Sequence, residues 1–227
     1  GFRTDVILLL SLNPRKGTAS LVSFPRDLYL NIPGYGMNRI NTAQYWGFAT
    51  TQRMFQESFG VNIHHYILTD FSSFIEIINI LGGIDVQVEK NLTDKCNLAQ
   101  GTNGYCSVGP GMVHMNGNLA LWYARSRYST NDYDRTRRAQ ELIIAIFNKI
   151  MQLDGLTKIP QIYKRLRDGV ETDMNLADII ALSPLAPTLF NNPEHIRRFS
   201  IGRAEVFPTV TEGGAQVSIP NFAAINQ

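Results

Sequence analysis

The chain predicts one α/β domain, a sheet covered by helices, and three observations carry that prediction. Short apolar runs of strand length alternate with longer stretches whose apolar residues recur at helical spacing. Clusters of Gly, Pro, Asn and Asp separate these stretches at the places where elements must end. Composition allows a sizeable core, because 44% of the 227 residues are hydrophobic and only 18% are charged, which is far from the balance of a disordered chain. Residues 1–227 are accordingly expected to form a single domain.

Taken in order, Val6–Leu12 and Ala19–Phe24 read as strands of a hairpin across the turn cluster Asn13-Pro14-Arg15-Lys16-Gly17. Tyr29–Ile32 extends the sheet until Pro33-Gly34. From Thr42 to Phe59, the stripe Tyr45, Trp46, Phe48, Met54, Phe55, Phe59 predicts a helix that Gly60 stops. His64–Thr69 reads as a strand, and Asp70 as the cap of a helix over Phe71–Leu81 ended by Gly82-Gly83. Ile84–Val88 alternates as a strand, and a polar loop follows over about 89–110. Asn116 or Asn118 caps a helix through Trp122 and Arg125; a long helix runs from about Arg135 to Leu153. Helical stretches follow at Ile159–Leu166 and Leu176–Phe190, the second capped by Asn175, with late strands at His195–Ile201 and Val217–Ile219.

A net charge of +2 argues against a nucleic-acid partner, since such binding needs many phosphate contacts over a broad basic face. No apolar run is long enough to span a bilayer. The chain opens at Gly1-Phe2-Arg3-Thr4-Asp5 without Met and runs almost at once into a strand. The expectation is a piece of a longer protein, with any membrane anchor in a segment outside it. Cys96 and Cys106 flank a polar loop and predict a disulfide in an oxidising compartment, against the alternative of free surface thiols; two sulfurs without neighbouring ligands make a poor metal site.

The arginines concentrate at element ends, often beside carboxylates: Arg3 with Asp5, Arg26 with Asp27, Arg39 near Asn41, Arg125 with Arg127, and Asp132 with Arg135 and Arg138. Arg135 and Arg138 share a face near the start of the long helix, where cations oppose the dipole, so an anion is expected between them. Guanidinium forks match the spread oxygens of a diphosphate, and Asp carboxylates suit the Mg²⁺ that commonly accompanies it. Any single Arg–Asp neighbour is more simply a surface ion pair of little energetic consequence; the set as a whole favours a polyphosphate site.

These residues also carry a family resemblance. Arg3-Thr4-Asp5-Val6-Ile7, Asn13-Pro14, Ser23-Phe24-Pro25-Arg26-Asp27, Asn38-Arg39-Ile40-Asn41, Asp70-Phe71, Leu81-Gly82-Gly83-Ile84-Asp85-Val86, Met115-Asn116-Gly117, Ala120-Leu121, Tyr123-Ala124-Arg125-Ser126-Arg127 and Asp132-Tyr133-Asp134-Arg135-Thr136-Arg137-Arg138 resemble, in this order, the blocks of the LytR-CpsA-Psr family. That resemblance implies a three-layer α/β/α sandwich with a central mixed sheet. It implies a membrane-anchored enzyme at the extracytoplasmic face of the bacterial cell membrane, which transfers a glycopolymer from a polyprenyl-pyrophosphate carrier to peptidoglycan or a related wall acceptor. By motif match, Arg3, Arg26, Arg39, Asn41, Arg125, Arg127, Arg135, Arg138 and Gln140 are expected on the pyrophosphate and Asp5 on Mg²⁺. Asp132 is expected to orient the arginines or the acceptor, and Asp5, Arg26, Arg125, Arg127, Asp132 and Arg135 form the expected catalytic set. Two departures stand out: the family's second metal aspartate would lie before Arg3, and Ala139 stands where a Gln is common, with Gln140 next.

Two rival readings share the arginines: a pyrophosphatase that delivers the diphosphate to water, and a non-catalytic module for polyprenyl phosphates or polyanions. A DNA-reading regulator ranks last for want of a recognition helix. His64-His65 points to opposite faces of a strand and His114 and His195 are isolated, so all four read as structural. Ser23 has no histidine partner for a nucleophilic triad. The apolar helix residues, from Phe48 to Phe147, read mainly as core, with some expected to line a polyprenyl tunnel.

Overall fold

The structure is a computed structural model that describes residues 4–126, 132–152, 160, 163–164 and 167–225. The α/β class is borne out. Strands β1 (Ile7–Asn13), β2 (Thr18–Phe24), β3 (Tyr29–Ile32), β4 (Gly36–Arg39), β5 (Ile67–Leu68), β6 (Ile84–Val88), β7 (Leu92–Lys95), β8 (Tyr105–Val108), β9 (Gly111–Met115), β10 (Glu171–Thr172), β11 (Ile196–Ser200), β12 (Val206–Val210) and β13 (Gln216–Pro220) accompany helices α1 (Phe48–Phe59), α2 (Phe71–Ile80), α3 (Gly117–Arg125), α4 (Asp132–Gln152), α5 (Leu176–Leu182), α6 (Ala186–Asn191) and α7 (Phe222–Ile225). One ladder has the order β1-β2-β11; the others are the pairs β3-β4, β5-β10, β6-β9, β7-β8 and β12-β13.

The chain divides into two compact units interleaved in sequence: Gly1–Ser11, Ser20–Tyr66 and Arg198–Gln227 form one, Leu12–Ala19 and Ile67–Arg197 the other. The first is built around Phe24, Leu28, Leu30, Ile32, Ile40, Met54 and Phe55. Its aromatic heart is Phe24, which meets Phe55 and Phe59 edge-on at 5.1 Å each. The second packs Ile78, Ile84, Val86, Val88, Met115, Tyr123 and Leu142 into one core, with a smaller cluster of Ala19, Leu185 and Leu189.

Helix ends follow the expected chemistry. Asp70 caps α2 by accepting from Ser73 N at 2.8 Å, Asn116 (rather than Asn118) caps α3 by accepting from Leu119 N at 3.0 Å, and Asn175 with Asp178 forms a capping box on α5.

Several elements differ from the expected ones. The helix over Thr42–Phe59 is broken at Gly47, whose φ of 94° no helix accepts; a 3₁₀ stretch (Ile40–Trp46) precedes it and α1 follows until Gly60 at φ 67°. The strand at His64–Thr69 shrinks to β5, which pairs antiparallel with β10. Within the polar cysteine loop lies an antiparallel hairpin, β7–β8, and β9 beyond it returns to pair with β6. Cys96 and Cys106 are bonded, with Cα atoms 5.5 Å apart, as expected. The stretch Leu176–Phe190 is interrupted by Pro184 and Pro187, which start a 3₁₀ turn and α6 instead of continuing α5. Most of the expected helix at Ile159–Leu166 lies outside the described residues. No helix among the described residues is long and apolar enough to cross a membrane.

Candidate functional site

The expected site residues fall into two groups, one in each unit. In the first unit, β2 ends at Phe24, whose ring anchors the chain in the aromatic core, and Pro25 opens a turn closed by Leu28 N on Pro25 O at 3.1 Å. Asp27 fixes the far side of that turn, because its carbonyl accepts from Ser218 N at 3.0 Å. Arg26 sits between these anchors and donates from Nη1 to Asp5 Oδ1 at 2.7 Å. Asn41 holds the two strands of this contact together through its backbone: its N donates to Arg26 O at 3.3 Å and its O accepts from Thr4 N at 3.4 Å. Arg39 donates from Nη2 to Gln216 O at 2.7 Å. Among the described residues, two polar atoms here are buried without a hydrogen-bond partner, Arg39 Nε and Asn41 Oδ1. One is a donor suited to a phosphate oxygen, the other an acceptor suited to a hydroxyl or a metal-bound water.

In the second unit the arginines of α3 and α4 are treated very differently. Arg138 is 1% exposed; it donates from Nε to Tyr123 O at 2.7 Å and from Nη2 to Ser126 O, and its guanidinium lies 5.7 Å from the Tyr123 ring. These carbonyls belong to the open C-terminal end of α3, so the partial negative charge that Arg138 meets is supplied by the fold. Burial lowers its pKa below the ordinary arginine value. Arg135 and Gln140 are buried on the same helix.

Arg137, not singled out in the sequence, is the centre of an ion-pair cluster with Glu141, with Glu89 at 3.8 Å and with Asp134 at 3.7 Å. Glu141 is buried, and its other oxygen accepts from Tyr123 Oη at 2.5 Å. Burial raises the Glu141 pKa; the Tyr123 hydroxyl and Arg137 pull the other way without cancelling it. Burial also raises the Tyr123 pKa, with the Glu141 bond and charge adding to it. The i, i+4 spacing of Arg137 and Glu141 was a readable signal of this pair; its link to Tyr123 was not, since that link needs α3 packed on α4.

Arg125, the last residue of α3, is exposed, and its Cζ stands 4.2 Å from the centroid of the Phe71 ring. Among the described residues it meets no carboxylate. Arg3 and Arg127 lie outside the described residues, as does the side chain of Asp132 at the start of α4.

A model of the LytR_cpsA_psr family matches residues 1–212. The chain belongs to the LytR-CpsA-Psr family. Among LytR-CpsA-Psr relatives it is 28% identical over 188 residues to "Polyisoprenyl-teichoic acid--peptidoglycan teichoic acid transferase TagT" of Bacillus subtilis strain 168, covering 82% of this chain and 58% of that protein. The chain thus spans little more than half the length of such relatives. Of solved structures, B. subtilis TagV is similar with a TM-score of 0.80 at 24% identity, over 99% of this chain and 85% of that one. A structure described as TagT bound to LI-WTA matches with a TM-score of 0.74 at 22% identity, over 99% and 81%. These likenesses show the fold of the LytR-CpsA-Psr domain.

For the Mg²⁺ that the family implies, the first unit offers hard oxygen donors. Asp5 has one carboxylate oxygen on Arg26 and the other without a partner among the described residues, and Asn41 Oδ1 is unpartnered. No group of three or more His, Cys, Asp or Glu among the described residues is placed to hold a metal. Asp5 and Asn41 are oxygen donors of the kind that Mg²⁺ takes alongside waters and diphosphate oxygens.

Proposed function

We propose that this chain is the catalytic region of a transferase that moves a glycan phosphate from a polyprenyl-pyrophosphate carrier onto peptidoglycan or a related wall acceptor, outside the cell and held to the membrane by a segment beyond this chain. Membership of the LytR-CpsA-Psr family carries the reading. Relatives are named as teichoic acid transferases to peptidoglycan, and one structural neighbour is TagT bound to LI-WTA.

In the proposed reaction an acceptor sugar hydroxyl attacks the phosphorus that bears the glycan. A new O–P bond forms, the bridging P–O bond breaks, and polyprenyl phosphate leaves with the electron pair. The hydroxyl proton passes to a base, for which Asp5 and Asp132 are the candidates. Arg125, which meets no carboxylate among the described residues, supplies its guanidinium to the phosphate oxygens, and charge placed where charge develops lowers the barrier. Arg138 acts at one remove, fixing the end of α3 that presents Arg125. Arg26 is oriented by Asp5 and anchored through Asn41, and Arg39 Nε and Asn41 Oδ1 stand as a spare donor and acceptor. Arg3, Arg127, Arg135 and Gln140 complete the proposed pyrophosphate contacts. When bound at Asp5, Mg²⁺ would neutralise charge on the diphosphate and the leaving phosphate.

The test is the dependence of polyprenyl phosphate release on acceptor. With a short-chain polyprenyl-pyrophosphate glycan, release should rise at least tenfold when peptidoglycan fragments are added. Equal release with and without acceptor identifies a pyrophosphatase; binding without release identifies a non-catalytic module.

A further inference from the structure

Four arginines in or near the expected site have carbonyl or carboxylate partners: Arg26 meets Asp5, Arg39 meets the Gln216 carbonyl, Arg137 meets three carboxylates, and Arg138 meets the carbonyls of Tyr123 and Ser126. Arg125 is held in another way, by the face of Phe71. Phe71 is the first residue of α2 and remains 42% exposed, so burial does not account for an aromatic ring there.

Both partners stand on firm supports. Asp70 caps α2 through Ser73 N and also takes the Ser72 hydroxyl at 2.8 Å, which fixes the turn that carries Phe71. Helix α3 starts against α2 in backbone contact: Gly117 N donates to Asn79 Oδ1 at 2.9 Å, and a carbon added at Gly117 would lie 2.2 Å from Ile75 O. Glycine is required for that approach, and the approach sets the register that brings the last residue of α3 over the first ring of α2.

We propose that Phe71 is a positioning residue for Arg125, holding the guanidinium through its ring so that the side chain is ordered while its charge and its N–H donors stay available to a phosphate oxygen. A carboxylate in the same place would orient Arg125 equally well but would neutralise it and compete with the anion. The ring quadrupole attracts the cation from one face only and leaves the edge, where the donors lie, open. Ordering the side chain before the anion arrives removes an entropic penalty from binding. The proposal rests on the reading of Arg125 as an anion-binding group.

Calorimetric titration with inorganic pyrophosphate tests it in the wild type, Phe71→Leu, Phe71→Tyr, Arg125→Ala and the Phe71→Leu/Arg125→Ala pair. Phe71→Leu should weaken binding roughly three- to tenfold, the range of a partly exposed cation–π contact. Phe71→Tyr should restore it, and Phe71→Leu should add nothing once Arg125 is Ala. The side-chain Nε–H resonance of Arg125 should be shifted upfield by the ring in wild type and return toward the free arginine position in Phe71→Leu. Should Phe71→Leu lose its fold, Phe71→Met carries the same comparison. The proposal is overturned if Phe71→Leu binds as wild type while Arg125→Ala does not, if its loss is equal in both backgrounds, or if the ring shift is absent. A silent Arg125→Ala removes the anion-binding reading itself, and the positioning role with it.

Discussion

Replacing Tyr123 by Phe takes one oxygen out of the second unit and leaves the ring in place. Tyr123 is fully buried, and its hydroxyl donates to the Glu141 carboxylate at 2.5 Å while Arg137 holds the other carboxylate oxygen. A hydrogen bond to a charged acceptor is worth about 1.5–3 kcal/mol, and little cavity is left behind, so a loss of about 2 kcal/mol is expected. In a Glu141→Gln background the acceptor is neutral, and the same change should cost about 1 kcal/mol, giving a coupling of about 1 kcal/mol. The effect depends on pH. Because burial raises the folded pKa of Glu141 above 4.5, the native protein binds the proton more tightly than the unfolded chain, and stability falls as pH rises from 4.5 to the folded value. The Tyr123 bond opposes that rise, so Tyr123→Phe should widen the window and deepen the fall. Urea unfolding followed by tryptophan fluorescence at a series of pH values measures both. A loss below about 0.5 kcal/mol at neutral pH, or equal losses in both backgrounds, would refute the buried Tyr123–Glu141–Arg137 network as drawn.

Other changes test other joints of the fold. Gly117→Ala forces a carbon against Ile75 O and should cost about 3 kcal/mol in thermal or urea unfolding by separating α2 from α3. Cys96→Ser with Cys106→Ser opens a loop of sequence separation 10 and should cost about 2–3 kcal/mol, with reductant destabilising the wild type but not the variant. The Ser73 N–H and the Ser72 hydroxyl hold the Asp70 carboxyl below its ordinary 3.8, so its contribution is present above that value and is lost as pH falls through the lowered one. Asp70→Asn keeps a cap and should flatten that acid limb of the stability profile.

Local chemistry was legible where one residue decides the outcome. Asp70, Asn116 and Asn175 cap the helices they precede, Gly60 ends α1, and the two cysteines are joined. Periodicity failed where tertiary geometry overrides it. Tyr45 and Trp46 keep helical spacing with Phe48, but the chain turns at Gly47. Strands β7 and β8 hide in a polar segment because only every second residue, such as Leu92 and Val108, is buried. The arginines stood out in the sequence, yet their differences did not. Arg137 and Arg138 are adjacent and chemically identical; Arg137 pairs with carboxylates of its own helix, which its spacing signals, whereas Arg138 bonds the end of α3, which only the packing of α3 on α4 assigns. Phe71 reads in the sequence simply as an apolar helix residue, because a contact with Arg125 at a distance of 54 positions leaves no periodic trace.

The most direct measurement of the proposed activity is mass spectrometry of peptidoglycan fragments after incubation with this protein, Mg²⁺ and a polyprenyl-pyrophosphate-linked glycan. The account predicts fragments that carry the glycan through a phosphodiester, with polyprenyl phosphate released in equal amount and both products sharply reduced in Arg125→Ala. Unmodified fragments alongside free glycan phosphate would contradict it.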